Sequence, residues 1–448
     1  DAVGKRLAEL TGAEWGMVTA GCAAALKMAT AACVAGGNPE KLHLIPDLSG
    51  LDKTEVIIPA GSFSAYDFAI QNIGVKIIRV ETIEELKDAL GPKTAMIKLS
   101  GGNLVPGPMS LEVIAAIAKP LNIPILADAA AEILTIPNVH LKNGATMVAY
   151  SGGKAICGPQ CAGLLLGPKN ILMSAWQASS PHHGPGRDNK VGREETLGML
   201  AAVETWVKMD HAAREKNWMN WVNAIAKRVS GIESVKTTIR EPEGINNRSA
   251  SLTISWDPEK LHLSSAELIQ ELISSKPRIT VGGGRSSDPG MASISINASQ
   301  MQAGQDKIVG DKIFELLSRK RSPKVEASMK APSSKISGRW DLEIDYFSSK
   351  SDHILYLEQD GNWLKGIHKT DFSVREVSGS IEGNEVKFLS PGRRPAVSYT
   401  FAGTINGDTI SGKIDMGEFL TANFSGKKNT KDPDRIPIVF PEGRPMGN

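Results

Sequence analysis

Between Trp15 and Gly167, short apolar runs alternate with segments of helical periodicity. The runs are Gly16–Thr19, Glu55–Pro59, Lys76–Val80, Thr94–Leu99, Pro124–Ala127, Thr146–Tyr150 and Gly163–Leu166. Strands that are apolar on both faces and alternate with helices predict a mostly parallel sheet covered on two sides. Asp1 to Leu10 reads as an amphipathic helix. Thr82 and Glu85 have the spacing of a capping box ahead of Ile83, Leu86 and Leu90, and that helix should stop at Gly91-Pro92. Ser110 is the expected N-cap of a helix from Leu111 to Ala118.

From Glu195 to about Ser230 the Ala, Trp and Met spacing predicts one or two long helices with a core-facing stripe. The next block mixes expected strands (Ser249–Trp256, Arg278–Val281, Met291–Ile296) with two helices, one opened by a Ser264/Glu267 capping box. After a proline-interrupted polar stretch the period changes to two. Trp340, Leu342, Ile344 and Tyr346 alternate with Asp341, Glu343 and Asp345, and Asp360-Gly361, Gly383-Asn384 and Asn406-Gly407 mark turns. The pattern divides the chain into a large α/β domain (1–230), a small α+β domain (231–320), a linker (321–337), an antiparallel β-barrel-like domain of about eight strands (338–428) and an extended tail (429–448).

Composition narrows the class. The 448 residues are 41 % hydrophobic and 22 % charged, ordinary for globular domains. Lys and Arg total 51 against 49 Asp and Glu, so no net field favours nucleic acid or an anionic membrane. No apolar run is long enough to span a bilayer. The four cysteines (Cys22, Cys33, Cys157, Cys161) lack Cys-x-x-Cys spacing, against a disulfide framework or zinc site, and Cys33 and Cys161 read as small buried thiols. The start at Asp1 is compatible with removal of a targeting segment, so a cytoplasmic and an exported location both stay open.

Three places carry candidate chemistry. Ser151-Gly152-Gly153-Lys154 follows an apolar strand directly, at the sheet edge where open α/β folds bind ligands. An amine partly withdrawn from water loses proton affinity, as Schiff-base chemistry requires, and glycines beside it would let a bulky ring come close. A solvated loop lysine is the plain alternative. A phosphate loop is excluded because Ala155, not Ser or Thr, follows Gly-Lys. Asp128, before Ala129, Ala130 and Ala131, suits a partner for a pyridinium nitrogen, with a helix N-cap as the alternative. Gly21-Cys22 turns a strand into an Ala-rich helix whose free N–H groups suit a phosphate, although most such turns are structural.

The run Tyr150-Ser-Gly-Gly-Lys-Ala-Ile-Cys-Gly-Pro-Gln-Cys-Ala-Gly-Leu-Leu-Leu-Gly, with Ala127-Asp-Ala-Ala-Ala-Glu and Gly186-Arg-Asp-Asn-Lys-Val-Gly-Arg-Glu-Glu, closely resembles one family. It is the fold-type I pyridoxal-phosphate enzymes related to selenocysteine synthase, in particular the branch containing D-glucosaminate-6-phosphate ammonia-lyase. The resemblance covers about residues 1 to 320. It implies Lys154 as the Schiff-base lysine, Asp128 as the ring-nitrogen partner, Ser151 with Gly21 and Cys22 on the cofactor phosphate, and a homodimer with shared active sites; the small Ala129, Ala130 and Ala131 offer the low floor that a flat ring needs. Three departures stand out. The family's usual N-terminal segment does not precede Asp1, and Ser62-Phe63-Ser64-Ala65-Tyr66 stands where relatives tend to carry a His-rich stretch. The C-terminal barrel is no part of the basic family and looks like a lipocalin-like appendage.

For substrate, the candidates are His182-His183 on a loop, the basic run Arg187, Lys190 and Arg193, and Arg285 of the small domain as a carboxylate clamp. The expected activity is a lyase of the β-elimination or ammonia-lyase type on an amino acid or amino-sugar acid. Racemisation or aldol cleavage shares the opening step and remains an alternative. A non-catalytic binding protein on a degenerate fold is the alternative from another class, and the pairing of Lys154 with Asp128 argues against it. Selenium transfer to an aminoacyl-tRNA is disfavoured by the net charge of +2.

Overall fold

The apolar runs of the N-terminal half lie side by side as one sheet in the computed structural model, which describes residues 1–284, 286, 288–323, 328–392 and 397–429. The chain divides into two units, Asp1–Pro323 and Lys324–Asn448. The sheet consists of β1 (Trp15–Thr19), β2 (Glu55–Pro59), β3 (Lys76–Val80), β4 (Thr94–Ser100), β5 (Ile125–Asp128), β6 (Met147–Ser151) and β7 (Gly163–Gly167) in the order β1-β7-β6-β5-β4-β2-β3. Strands β3, β2, β4, β5 and β6 run parallel, and β7 runs against both its neighbours.

Successive residues of each inner strand enter different cores. Ile57, Ile97, Ile125 and Ala127 pack with Leu111 and Ile114 on one face, while Val56, Ile58, Met96 and Leu126 pack against the helix Gly21–Ala35 on the other. Full burial of each such Ile or Leu contributes about 1.5–3 kcal/mol. The alanines of Gly21–Ala35 keep that helix thin enough to be buried along most of its length.

The helix signals are met unevenly. Ser264 and Glu267 form both halves of their capping box. Thr82 Oγ1 accepts from the Glu85 N–H at 3.1 Å, but the Glu85 carboxylate accepts from Glu81 N and not from Thr82. Ser110 precedes the helix Leu111–Ala118 without a side-chain cap bond. The long helical region forms two helices, Arg193–Lys208 and His211–Val229, the second capped by Asp210 on Ala213 N at 2.9 Å.

A second, antiparallel sheet has the order β10-β11-β9-β8, made from β8 (Val235–Arg240), β9 (Ser251–Trp256), β10 (Gly282–Gly283) and β11 (Ala292–Asn297). The expected strand Arg278–Val281 is loop, and pairing falls on Gly282 and Gly283 instead. A Cβ at Gly282 would stand 2.6 Å from Ser295 Oγ, so a side chain here would have to displace that hydroxyl.

The second unit is a closed barrel: β12 (Gly338–Asp345), β13 (Lys350–Asp360), β14 (Trp363–Lys369), β15 (Val374–Glu382), β16 (Glu385–Ser390), β17 (Tyr399–Asn406), β18 (Thr409–Asp415) and β19 (Thr421–Asn429). Each strand is antiparallel to the next and β19 closes onto β12, which leaves no free edge. Trp340, Leu342 and Ile344 point inward, as their period of two requires. The expected tail lies, apart from Asn429, outside the described residues.

Candidate active site

Strand register assembles the site. Ser100 of β4 pairs with Asp128 of β5, and Asp128 pairs with Ala149 of β6, so the parallel strands end on one edge. Gly163 pairs with both Ser151 and Thr19, which brings the Gly21-Cys22 turn to that same edge. Here Gly163 has a packing reason: a Cβ on it would lie 2.5 Å from the Gly21 carbonyl carbon and 2.7 Å from Cys22 N. Gly21 itself has φ +81°, a left-handed conformation in which a side chain would be strained.

Asp128 is held on both carboxylate oxygens. Oδ1 accepts from the Cys22 thiol at 3.6 Å and from the Ala130 N–H at 3.3 Å. Oδ2 faces Lys98 Nζ at 3.7 Å, and the side chain is only 7 % exposed. No helix starts at Asp128, so the N-cap alternative is replaced by a turn-forming, ion-paired carboxylate. Burial first, and the Asp128 charge second, hold the Cys22 thiol well above its ordinary range, while Lys154 and Lys98 act in the opposite direction. Cys22 is therefore a neutral donor to Asp128, and Lys154 acts electrostatically on the same corner.

Lys154 lies in the turn after β6, exposed, with Nζ 5.9 Å from the centre of the Tyr66 ring. Two expectations change here. The lysine is not withdrawn from water within one chain. The space beside Gly152 and Gly153 is also already occupied by the chain itself: a Cβ on Gly152 would meet Ala162 O at 2.8 Å, and one on Gly153 would meet Gln160 Oε1 at 2.4 Å and Gln160 Cα at 2.7 Å. These glycines let the loop 157–162 fold under the lysine rather than admit a ring.

Lys98, Asp67 and their hydroxyl partners belong to the site without any motif that marks them in the sequence. Lys98 is fully buried, and its ammonium faces Ser62 O (2.8 Å), Asp67 Oδ1 (2.8 Å), Ser100 Oγ (3.2 Å) and Ser64 Oγ (3.4 Å). The signal available was a lysine inside Thr94-Ala-Met-Ile-Lys-Leu, an otherwise apolar parallel strand. The Ser62–Asp67 segment that Lys98 ties down carries Tyr66.

The expected substrate residues are less integrated. His183, Arg187 and Lys190 are exposed, and among the described residues no hydrogen bond or ion pair joins them to Lys154 or Asp128. His182 is a structural residue: Nδ1 lies 3.2 Å from Ser179 O and the ring packs edge-on to Trp176 at 4.5 Å. The loop is anchored by Asp188, whose carboxylate holds the buried Lys27 ammonium at 2.7 and 2.8 Å. Arg193 opens the helix Arg193–Lys208, and Arg285 lies outside the described residues. All four cysteines are free. Cys33 is half-buried, packed against the core of the Gly21–Ala35 helix with its thiol pushed up to about 12 by desolvation, and Cys161 is exposed and faces Glu195 Oε1 at 3.7 Å. Among the described residues no cluster of His, Cys, Asp and Glu is arranged to hold a metal, and no helix is long and apolar enough to cross a membrane.

Residues 8–191 match the model of the aminotransferase class-V family. Over 251 residues the chain is 28 % identical to D-glucosaminate-6-phosphate ammonia lyase of Salmonella typhimurium (strain 14028s / SGSC 2262), covering 54 % of this chain and 65 % of that protein. It is also 28 % identical over 296 residues to 5'-C-glycyluridine monooxygenase-decarboxylase of a Streptomyces species, covering 62 % and 71 %. A solved structure of D-glucosaminate-6-phosphate ammonia-lyase superposes with a TM-score of 0.59 at 24 % identity, over 70 % of this chain and 85 % of that one. That likeness shows the fold: the first unit has the fold-type I arrangement implied by the resemblance.

Proposed function

We infer that the first unit is a pyridoxal-phosphate enzyme holding its cofactor on Lys154, and that it acts as a lyase of the ammonia-lyase or β-elimination type on an amino acid or amino-sugar acid. The observation that carries this reading is Asp128: a carboxylate 7 % exposed, fixed on both oxygens, on the sheet edge from which Lys154 emerges. The donor set fits the cofactor. Lys154 offers an amine, Asp128 an anion for a pyridinium nitrogen, and the start of the helix Gly21–Ala35 with Ser151 a place for the phosphate. Tyr66, 57 % exposed, is the aromatic ring at hand to cover the cofactor's face.

When bound, pyridoxal phosphate supplies a ring that accepts the electron pair left on a substrate carbon. Asp128 supports this by keeping an anion where the ring nitrogen carries its proton. Lys154 would hold the cofactor through its amine, and its Nζ would move a proton to or from the substrate α-carbon. Arg187 and Lys190 are the cations proposed for the substrate's carboxylate or phosphate. The ammonia-lyase activity of the Salmonella relative supports the lyase class. The same reading takes the enzyme as a homodimer, in which a second copy would enclose the exposed Lys154.

The test is spectroscopic. The protein with added pyridoxal phosphate should develop a visible absorption band that Lys154→Ala lacks, and that band should shift with amino acids, amino-sugar acids or their phosphates. A wild-type protein that never develops the band would sink the reading.

A further inference from the structure

Beyond the residues assigned so far, Lys98 is a fully buried cation with five oxygen neighbours, two of them from carboxylates. Its ammonium touches Asp67 Oδ1 at 2.8 Å on one side and approaches Asp128 Oδ2 at 3.7 Å on the other. Three protons serve the two carboxylates, Ser62 O and the Ser64 and Ser100 hydroxyls, so no direction around the ammonium is left to water. A lysine at this strand position is costly compared with the Met96-like residue the core would accept, and such a buried ion pair is weak as a source of stability alone. Its geometry does something an apolar residue cannot: it connects two structures that share no backbone pairing. One is Asp128. The other is the Ser62–Asp67 segment, fixed further by Ser64 N donating to Asp67 Oδ2 at 2.9 Å and by Ser62 Oγ against Ser100 O and Asn103 Oδ1 at 3.1 and 2.8 Å.

We propose that Lys98 is a positioning residue of the active site, a buried ammonium that sets the orientation and charge environment of Asp128 and locks the Tyr66-bearing segment to it through Asp67. This rests on the reading of Asp128 as the partner of the cofactor's ring nitrogen. The carboxylate beneath the ring nitrogen and the aromatic ring beside Lys154 are then aligned by one cation. The groups facing Asp128 are Cys22 from the helix Gly21–Ala35, the Ala130 N–H after β5 and Lys98 from β4; Lys154, from the turn after β6, acts electrostatically on Cys22. Of these, Lys98 is the buried cation paired with it.

The test uses the full chain, Lys98→Met and Asp67→Asn, each checked for a cooperative thermal transition. With pyridoxal phosphate bound, the pH midpoint of the visible band in Lys98→Met should move by about one unit, a tenfold change in the protonation ratio, because an opposite charge close to a titrating site is lost. Asp67→Asn keeps the cation on Asp128 but releases the Ser62–Asp67 segment, and should weaken cofactor retention with a smaller change in midpoint. A folded Lys98→Met with wild-type midpoint and retention overturns the proposal. If Lys98→Met does not fold, unchanged retention in Asp67→Asn overturns it.

A cofactor-free measurement separates this from the function itself. In apo protein, the alkylation rate of Cys22, followed by peptide mass mapping across pH, reads the charge around the Asp128 carboxylate. Loss of Lys98 should move that profile to higher pH; Asp67→Asn, which leaves the ammonium in place, should move it less. A profile unchanged in Lys98→Met overturns the positioning role. A wild-type protein without a visible band overturns the cofactor reading while leaving the Cys22 result standing.

Discussion

His353 Nδ1 lies 2.9 Å from His368 Nε2 inside the closed barrel, and His368 Nδ1 lies 2.9 Å from Ser390 Oγ. His368 and Ser390 are fully buried and His353 nearly so, against the rings of Tyr399 and Phe401. Burial is the main reason that His368 is pushed down to about 3, with the neighbouring His353 and Arg375 adding to it; His353 is lowered too, again chiefly by burial. In the fold both rings are neutral, while the unfolded chain takes up protons near the ordinary value of 6.5.

The sign follows. Below pH 6.5 the unfolded state binds more protons than the fold, so barrel stability falls as pH falls, from about 6.5 towards 3. The slope for His368 is about 1.4 kcal/mol per pH unit. Hydrogen exchange of the barrel strands in the full chain should show protection declining from pH 6.5 to 4. A His368→Leu variant should flatten that dependence. An equal slope in the variant would refute the assignment.

Cys22 should be slow towards thiol reagents. Its thiol is held well above the ordinary range by burial and by Asp128, whereas Cys157 and Cys161 are exposed. At pH 8, mass mapping should find Cys157 and Cys161 alkylated first and Cys22 last. Asp128→Asn, which removes the nearby negative charge, should speed the reaction at Cys22.

Gly153→Ala should disturb the lysine turn. Its methyl would stand 2.7 Å from Gln160 Cα, a backbone atom that cannot swing away. The expected loss is about 1–3 kcal/mol of stability, as in other overpacked sites. It should come with faster loss of pyridoxal phosphate on dialysis, because the residue that moves is next to Lys154. Urea denaturation and the visible band measure the two effects.

The Lys27–Asp188 pair should respond asymmetrically. Lys27 is buried with its side chain 8 % exposed, and Asp188 is 66 % exposed. Asp188→Asn leaves a buried ammonium without its anion and should cost about 1.5–3 kcal/mol. Lys27→Met removes the charge that needs a partner and should cost less. Chemical denaturation of both variants checks the order, and the reverse order would show that the pair does not anchor the 187–190 loop as argued.

Much of the fold was legible because burial imposes a period. Apolar parallel strands, the Leu111–Ala118 helix and the alternating barrel strands all repeat at the spacing their faces demand. Lys154, Asp128 and the Gly21-Cys22 turn were legible because each sits where a strand ends. Lys98 was not, since a lysine in a strand looks alike whether its ammonium meets water or two carboxylates from distant segments. Nor were Gly152 and Gly153 readable as packing glycines, because the residues that crowd them, Gln160 and Ala162, return only through the fold of the following loop. The buried pair His353 and His368 lies on the neighbouring strands β13 and β14, and only closure of the barrel takes both rings out of water.

The sequence by itself determined the strand and helix inventory and the strand-end candidates, since local spacing and chain termini of elements are written residue by residue. Tertiary structure alone decided which charges meet. Pairing Ser100 with Asp128 and Gly163 with both Thr19 and Ser151 is a matter of register between strands far apart in the chain, and only that register puts Lys98 and Cys22 on one carboxylate and Lys154 at the same sheet edge.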